Sequence, residues 1–200
     1  MTVSCKYLHN KTDYKIMHLS SGLDRSACRY EVVMIGDSSV GKTSFIQRAQ
    51  SGTFSSDVPA SIGMDSYKWT VVVNGKDIVL HLWDTAGQER YVFIMTKQIF
   101  HRAQAFLLMY DVTCAQTFTA VSYWASCIKE GAAENAVVLL LGIRGEILAE
   151  ENSFSFMECS AATGENVTEA LETVASQKDD KSEEPLMLRR PEPKNKFGCC

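Results

Sequence analysis

Eight consecutive residues, Gly36-Asp37-Ser38-Ser39-Val40-Gly41-Lys42-Thr43, fit the pattern GxxxxGK[ST] and directly follow the apolar run Tyr30-Glu31-Val32-Val33-Met34-Ile35. Such a loop closes main-chain N–H groups around phosphate oxygens because its glycines permit the tight path. The helix that follows points its positive end at the same anion. Lys42 is placed to reach the β- and γ-phosphates of a nucleoside triphosphate, and the Thr43 hydroxyl to hold Mg2+, with Ser44 next in the cradle. A chance glycine turn between a strand and a helix is the competing reading, and the elements on either side argue against it. A second acidic stretch, Asp84-Thr85-Ala86-Gly87-Gln88-Glu89, closes another strand-like run, 78–83. Asp84 at that strand end is suited to bind Mg2+ through water, the Gly87 N–H to meet a γ-phosphate, and Gln88 to orient an attacking water. An ordinary turn is the alternative there.

To position these residues the chain must alternate strands and helices. Apolar runs predict strands near 30–36, 67–73, 78–84, 105–111, 136–142 and 154–158, and helices over 41–50, roughly 91–101, 117–131 and 165–177. Asn74-Gly75 predicts a tight hairpin between the second and third strands. The last helix carries Val167, Ala170, Leu171 and Val174 on one stripe. The expected fold is therefore α/β, a P-loop NTPase with a mostly parallel six-stranded sheet and helices on both faces. Its limits are read as 30–177, preceded by a flexible extension over 1–29 and followed by a linker over 178–200.

Composition agrees. Of 200 residues, 46% are hydrophobic, enough for one α/β core. A net charge of −4 supplies no broad basic field, which argues against nucleic acid as a partner. The longest apolar runs are strand-sized, and the first thirty residues lack the apolar stretch of a signal peptide. Seven cysteines, without metal-ligand or disulfide-dense spacing, suit a reducing cytosol.

On these motifs, together with Ser61-Ile62-Gly63-Met64-Asp65, Trp83, Tyr110-Asp111-Val112-Thr113, Ser160-Ala161 and the terminal Gly198-Cys199-Cys200, the chain resembles the Ras superfamily of small GTPases, and the Rab branch most closely. The resemblance implies GTP and GDP as ligands with Mg2+. It makes Thr43, Ser61 and Asp84 the metal-holding residues, Ser61 also offering its N–H to the γ-phosphate, and Gln88 the residue that positions water. Hydrolysis would then release the loop over 51–65. The family pattern has Thr where Ser61 stands, so a looser closed loop is expected. Of the Rab aromatic trio, Trp83 is present as a partly buried residue, Ser66 replaces the Phe and Ile99 aligns with the Tyr, so altered effector binding is expected.

Where the family reads Asn-Lys-x-Asp, this chain reads Ile143-Arg144-Gly145-Glu146. Glu146 can still accept from the guanine edge and Arg144 can still stack on the ring, whereas Ile143 makes no hydrogen bond. With each lost hydrogen bond worth about 1–3 kcal/mol, guanine affinity should fall by a decade or more. Ser160 and Ala161 match the loop whose backbone meets guanine O6, followed by Ala162 in place of Lys. Only twelve residues separate Leu141 from Phe154, close to the minimum for a crossover with its helix. Residues 149–152 read as a remnant of that helix, and part of one sheet face should be uncovered.

Cys199 and Cys200 resemble the Rab double-cysteine ending that receives geranylgeranyl groups, and Arg189, Arg190, Lys194 and Lys196 outweigh Glu192 beside them. Two lipid chains meet the requirement for stable anchoring. The expectation is a monomeric Rab-like GTPase on the cytoplasmic face of an intracellular membrane, with a cytosolic pool, that serves vesicle trafficking with effector, exchange-factor and GTPase-activating partners. The principal alternative is a nucleotide-deficient relative acting as a membrane-tethered interaction module, and an ATP-dependent kinase or ATPase is a third. No Asp-x-Asp-x-Asp-Gly calcium loop occurs in the chain.

Overall fold

In the computed structural model, residues 28–59, 61, 64–85, 98–142 and 145–183 are described. The elements run β1 (Cys28–Ile35), α1 (Lys42–Ser51), β2 (Met64–Val73), β3 (Lys76–Thr85), β4 (Ala105–Met109), α2 (Ala115–Gly131), β5 (Val137–Gly142), α3 (Glu146–Asn152), β6 (Ser155–Glu158) and α4 (Val167–Glu183). Residues 98–102 are helical and lead into β4, and the rest of the helix expected over 91–101 lies outside the described residues. All ten β2–β3 residue pairs are antiparallel around Asn74 and Gly75. Both of these have positive φ (51° and 75°), the requirement of the two-residue turn expected there. The other pairings are parallel, in the order β2-β3-β1-β4-β5-β6.

Both faces of the central strands are buried, because β1 sends Val32 and Met34 to one side and Val33 and Ile35 to the other. The first side packs on Phe45 and Ile46 of α1 and on Val167, Ala170, Leu171 and Val174 of α4, the stripe seen in the sequence. The second packs on Val121, Trp124 and Ile128 of α2 and on Ala149 of α3. This is the six-stranded α/β architecture anticipated, with strand ends within three residues of expectation.

Two boundaries differ. Residues 178–183, expected in the linker, are helical, because α4 continues to Glu183. Its last turns are tied down: Lys76 Nζ pairs with buried Asp179 at 3.4 Å, Lys178 Nζ donates to Asn135 O at 3.2 Å, and Ser182 Oγ lies 3.2 Å from Tyr30 Oη. The helix of the short crossover starts at Glu146, three residues before the expected remnant, and ends at Ser153 in a left-handed conformation (φ 59°). It buries only Ala149, and Ile147 is 75% exposed. Beside it, Val138, Phe154 and Phe156 are half-buried, and Val138 and Phe154 help line a cleft of about 380 Å3. Among the described residues, no helix is long and apolar enough to cross a membrane.

Candidate functional site: a phosphate cradle

The loop between β1 and α1 is built by backbone geometry that few sequences tolerate. Gly36 has φ 139°, and a Cβ there would collide with the Met109 carbonyl. Gly41 has φ 95° and caps α1 without a side-chain hydrogen bond, which leaves the first-turn N–H groups to the loop. No acidic residue occupies that first turn, so the positive helix end faces the cavity uncompensated. Lys42 is buried, and its Nζ donates to the carbonyls of Gly36 and Asp37, each at 2.8 Å. The ammonium is thereby folded over the rim of the cradle.

At the floor, Thr43 Oγ1 donates to Asp84 Oδ2 at 2.7 Å and lies 2.7 Å from Ser61 Oγ, which is itself 3.4 Å from Asp84 Oδ2. Asp84 is 1% exposed, and its second oxygen has no hydrogen-bond partner among the described residues. Burial pushes its carboxyl above the usual range. The Thr43 hydrogen bond, the Lys42 charge and the Ser61 hydrogen bond oppose that shift, and Asp65 adds to it. A buried carboxylate with an orphan oxygen beside two hydroxyls is a hard, all-oxygen donor set, which fits Mg2+. Thr85 Oγ1 donates to Met34 O at 2.9 Å and holds the end of β3 against β1.

These groups open into a cleft of about 380 Å3. From the loop and α1 it is lined by Ser38, Ser39, Gly41, Lys42, Thr43 and Ser44. Thr85 and Ser61 close it from β3 and from the segment before β2, which also contributes Ser56, Val58 and Pro59. Sequence reasoning missed these last three, since 53–60 carries no periodicity or motif. It also missed Trp124, whose Nε1 donates to Asp37 Oδ1 at 2.9 Å from 87 positions away. Val40 is buried beneath the loop as its apolar anchor.

The base end differs. Gly145 is buried where a Cβ would stand 2.7 Å from the Phe156 ring and 2.9 Å from Tyr110 Oη. Glu146 emerges exposed in the first turn of α3. Ser160 and Ala161 lie half-buried in a turn where Ser160 N donates to Glu165 O (3.0 Å) and Ser160 O accepts from Gly164 N (2.8 Å). Arg48 of α1 braces this turn by donating to Thr163 O at 2.7 Å. Neither Glu146 nor Ser160 nor Ala161 lines the cleft. Gly87, Gln88, Ile143, Arg144, Cys199 and Cys200 lie outside the described residues.

On the outer face of β1 and β3, Trp83 is half-buried, as expected. Its Nε1 donates to Glu31 Oε2 at 2.6 Å, and the same oxygen lies 2.8 Å from His81 Nδ1. Ser66 sits opposite Trp83 in the hairpin register and offers no ring, while the His81 ring packs on Trp83 with centroids 4.6 Å apart.

The sequence profile of the Ras family matches residues 31–179. The chain is 36% identical over 188 residues to Ras-related protein Rab-44 of Homo sapiens, a match covering 86% of this chain and 18% of that protein. It is 38% identical over 188 residues to EF-hand calcium-binding domain-containing protein 4B of Homo sapiens, covering 86% of this chain and 25% of that one. It therefore spans a quarter or less of the length of these two relatives. To Ras-related protein Rab-3B of Homo sapiens it is 38% identical over 170 residues, 78% of this chain and 77% of that protein. With the strand order, the phosphate cradle and the Thr43–Asp84 floor, these matches establish that the chain belongs to the Ras family of small GTPases, in its Rab branch, a family that binds GTP and GDP.

Proposed function

We propose that this chain binds GTP and GDP with Mg2+, hydrolyses GTP slowly, and uses the difference between the two states to recruit effectors at membranes in vesicle trafficking. The observation that supports this best is the floor of the cradle, where Thr43, Ser61 and Asp84 meet and one buried carboxylate oxygen has no partner among the described residues. In this reading a phosphate takes the place of the Gly36 and Asp37 carbonyls as partner of Lys42 Nζ. The first-turn N–H groups of α1 bind the same anion. Thr43, Ser61 and Asp84 hold the metal, Asp84 through water. Bound Mg2+ supplies a compact double charge that offsets negative charge on the phosphate oxygens. Gly87 offers its N–H to the γ-phosphate and Gln88 orients the attacking water. Ser61 belongs to the segment between α1 and β2, so its bonds to Thr43 and Asp84 tie that segment to the contents of the site.

Cys199 and Cys200 would carry geranylgeranyl groups that hold a monomeric domain at the cytoplasmic face of an intracellular membrane, with a cytosolic pool. Exchange factors and GTPase-activating proteins would set the balance of states. The purified chain is expected to retain labelled GDP and GTP at micromolar or tighter affinity in Mg2+ and to release phosphate slowly; absence of any retention would sink the proposal. Replacing Cys199 and Cys200 by Ser should move the protein from the membrane pellet to the soluble fraction.

A second reading, an interaction module without nucleotide, is favoured by one observation: Glu146, Ser160 and Ala161 stand outside the cleft. Thermal melting separates the two, because a ligand that binds only the native state must raise the midpoint.

A further inference from the structure

We propose that a second cleft, at the other end of the sheet, docks the chain's own segment Leu186-Met187-Leu188, with Arg189 and Arg190 set against the acidic end of α3. That segment lies outside the described residues. The cleft, of about 380 Å3, sits where β5 and β6 begin and is lined from α4 by Gln177, Asp180 and Lys181. Because β1, β4, β5 and β6 run parallel, this is the end of the sheet opposite the phosphate cradle, which follows β1. It is open because α3 has seven residues and buries only Ala149, which leaves Val138 and Phe154 half-buried in the wall. Polar groups of the wall already have partners: Ser155 Oγ accepts from Gln177 Nε2 at 2.9 Å, and Lys181 Nζ donates to Ala136 O at 3.4 Å. An occupant therefore meets apolar surface and exposed carboxylates.

Position, chemistry and charge each point to 186–190 as that occupant. Lys181 lines the cleft, and the five positions from it to Leu186 span at most about 17 Å, so the segment starts within reach. Leu186-Met187-Leu188 is the first apolar run after α4, and its flexible Met suits an irregular wall. At the end of α3, Glu150 and Glu151 are exposed, as is Asp180 on α4, and the last turn of α3 has no basic residue. Lys129 beside them is engaged by Asn152 Oδ1 at 2.8 Å and lies over the Phe154 ring. Arg189 and Arg190, directly after Leu188, supply charge of the opposite sign in a form suited to carboxylates. Docked, the segment would shorten the tether between the domain and Cys199 and Cys200, with no dependence on nucleotide.

The test is photo-cross-linking of the full chain carrying p-benzoylphenylalanine in place of Met187, mapped by peptide mass. A monomeric product joined to 136–138, 153–155 or 177–181 is expected. Leu186→Ser with Leu188→Ser should lower its yield about tenfold, since two buried leucines are lost. Glu150→Lys with Glu151→Lys should lower it about two- to threefold, the scale of exposed ion pairs. Neither pair removes a described core residue. A product joining two chains, cross-links confined to other surfaces, or a yield indifferent to both pairs of substitutions overturns the proposal.

Discussion

The two ends of the cleft are built on opposite principles. At the phosphate end Lys42 bridges two carbonyls of the loop, and Asp84 has a buried oxygen without a hydrogen-bond partner among the described residues. At the base end Ser160 is paired within its own turn, and Gly145 is wedged between two aromatic rings. The Asp84 end thus carries the cost of an unsatisfied buried oxygen that a ligand can relieve, whereas Ser160 at the other end already has partners in its own turn. The cradle depends on backbone geometry within one loop, whereas the base end is assembled from two separate segments of the chain, before and after β6.

The sharpest way to break this contrast is to make one substitution at both ends. Gly36→Ala puts a Cβ into the Met109 carbonyl at a φ of 139°, which combines overpacking with backbone strain. It should lower stability by about 3 kcal/mol and abolish nucleotide retention, read by melting and by labelled-GDP binding. Next in size is Asp84→Asn. Burial already disfavours the Asp84 carboxylate, so the neutral amide should leave the ligand-free melting point equal or higher. The midpoint rise produced by GDP with Mg2+ should disappear, as it should for the unaltered chain in EDTA. A preserved rise in the Asn variant would remove Asp84 from the metal site.

Gly145→Ala is the counterpart of the first test. Its Cβ would stand 2.7 Å from Phe156, an overpacking cost of about 1–3 kcal/mol. Melting should fall, while GDP affinity measured below the transition stays within about twofold, since this end contributes little. A large loss of affinity would show that the base end is engaged after all. Smaller still is Trp124→Phe, which keeps the ring in the core but removes the 2.9 Å bond to Asp37. At about 1 kcal/mol for one hydrogen bond, GDP release should quicken severalfold with the fold unchanged.

Much of the fold was legible because the signals are local. Asn74-Gly75 announces its turn through the φ values it permits, and the stripe from Val167 to Val174 announces the buried face of α4. The cradle was equally legible, since each of Gly36, Gly41, Lys42 and Thr43 answers a separate geometric demand. What escaped is held by partners far along the chain. Lys178, Asp179 and Ser182 read as the start of a polar linker, and only Asn135, Lys76 and Tyr30, more than 40 positions away, make them a helix end. Trp124 reads as one more core aromatic, and no spacing rule links it to Asp37. Glu146 read as a base acceptor. It stands exposed in the first turn of α3, directly after Gly145, whose packing against Tyr110 and Phe156 is invisible in sequence.

Cys159, directly before the Ser160 turn, supplies the finest test of the contrast. Burial first, then the nearby Glu169 and Glu165, pushes its thiol up to about 12, against the weaker pull of the Ser160 backbone hydrogen bond. With the thiolate as the reactive form, only about one molecule in ten thousand is ionised there at pH 8. Alkylation mapped by peptide mass should therefore be far slower at Cys159 than at the exposed Cys28. If the base end stands apart from the ligand, GDP with Mg2+ at saturation should leave the Cys159 rate unchanged below the unfolding transition. A base seated against Ser160 and Ala161 would instead slow it further, because closing that turn over a ligand deepens the burial that already holds the proton on sulfur.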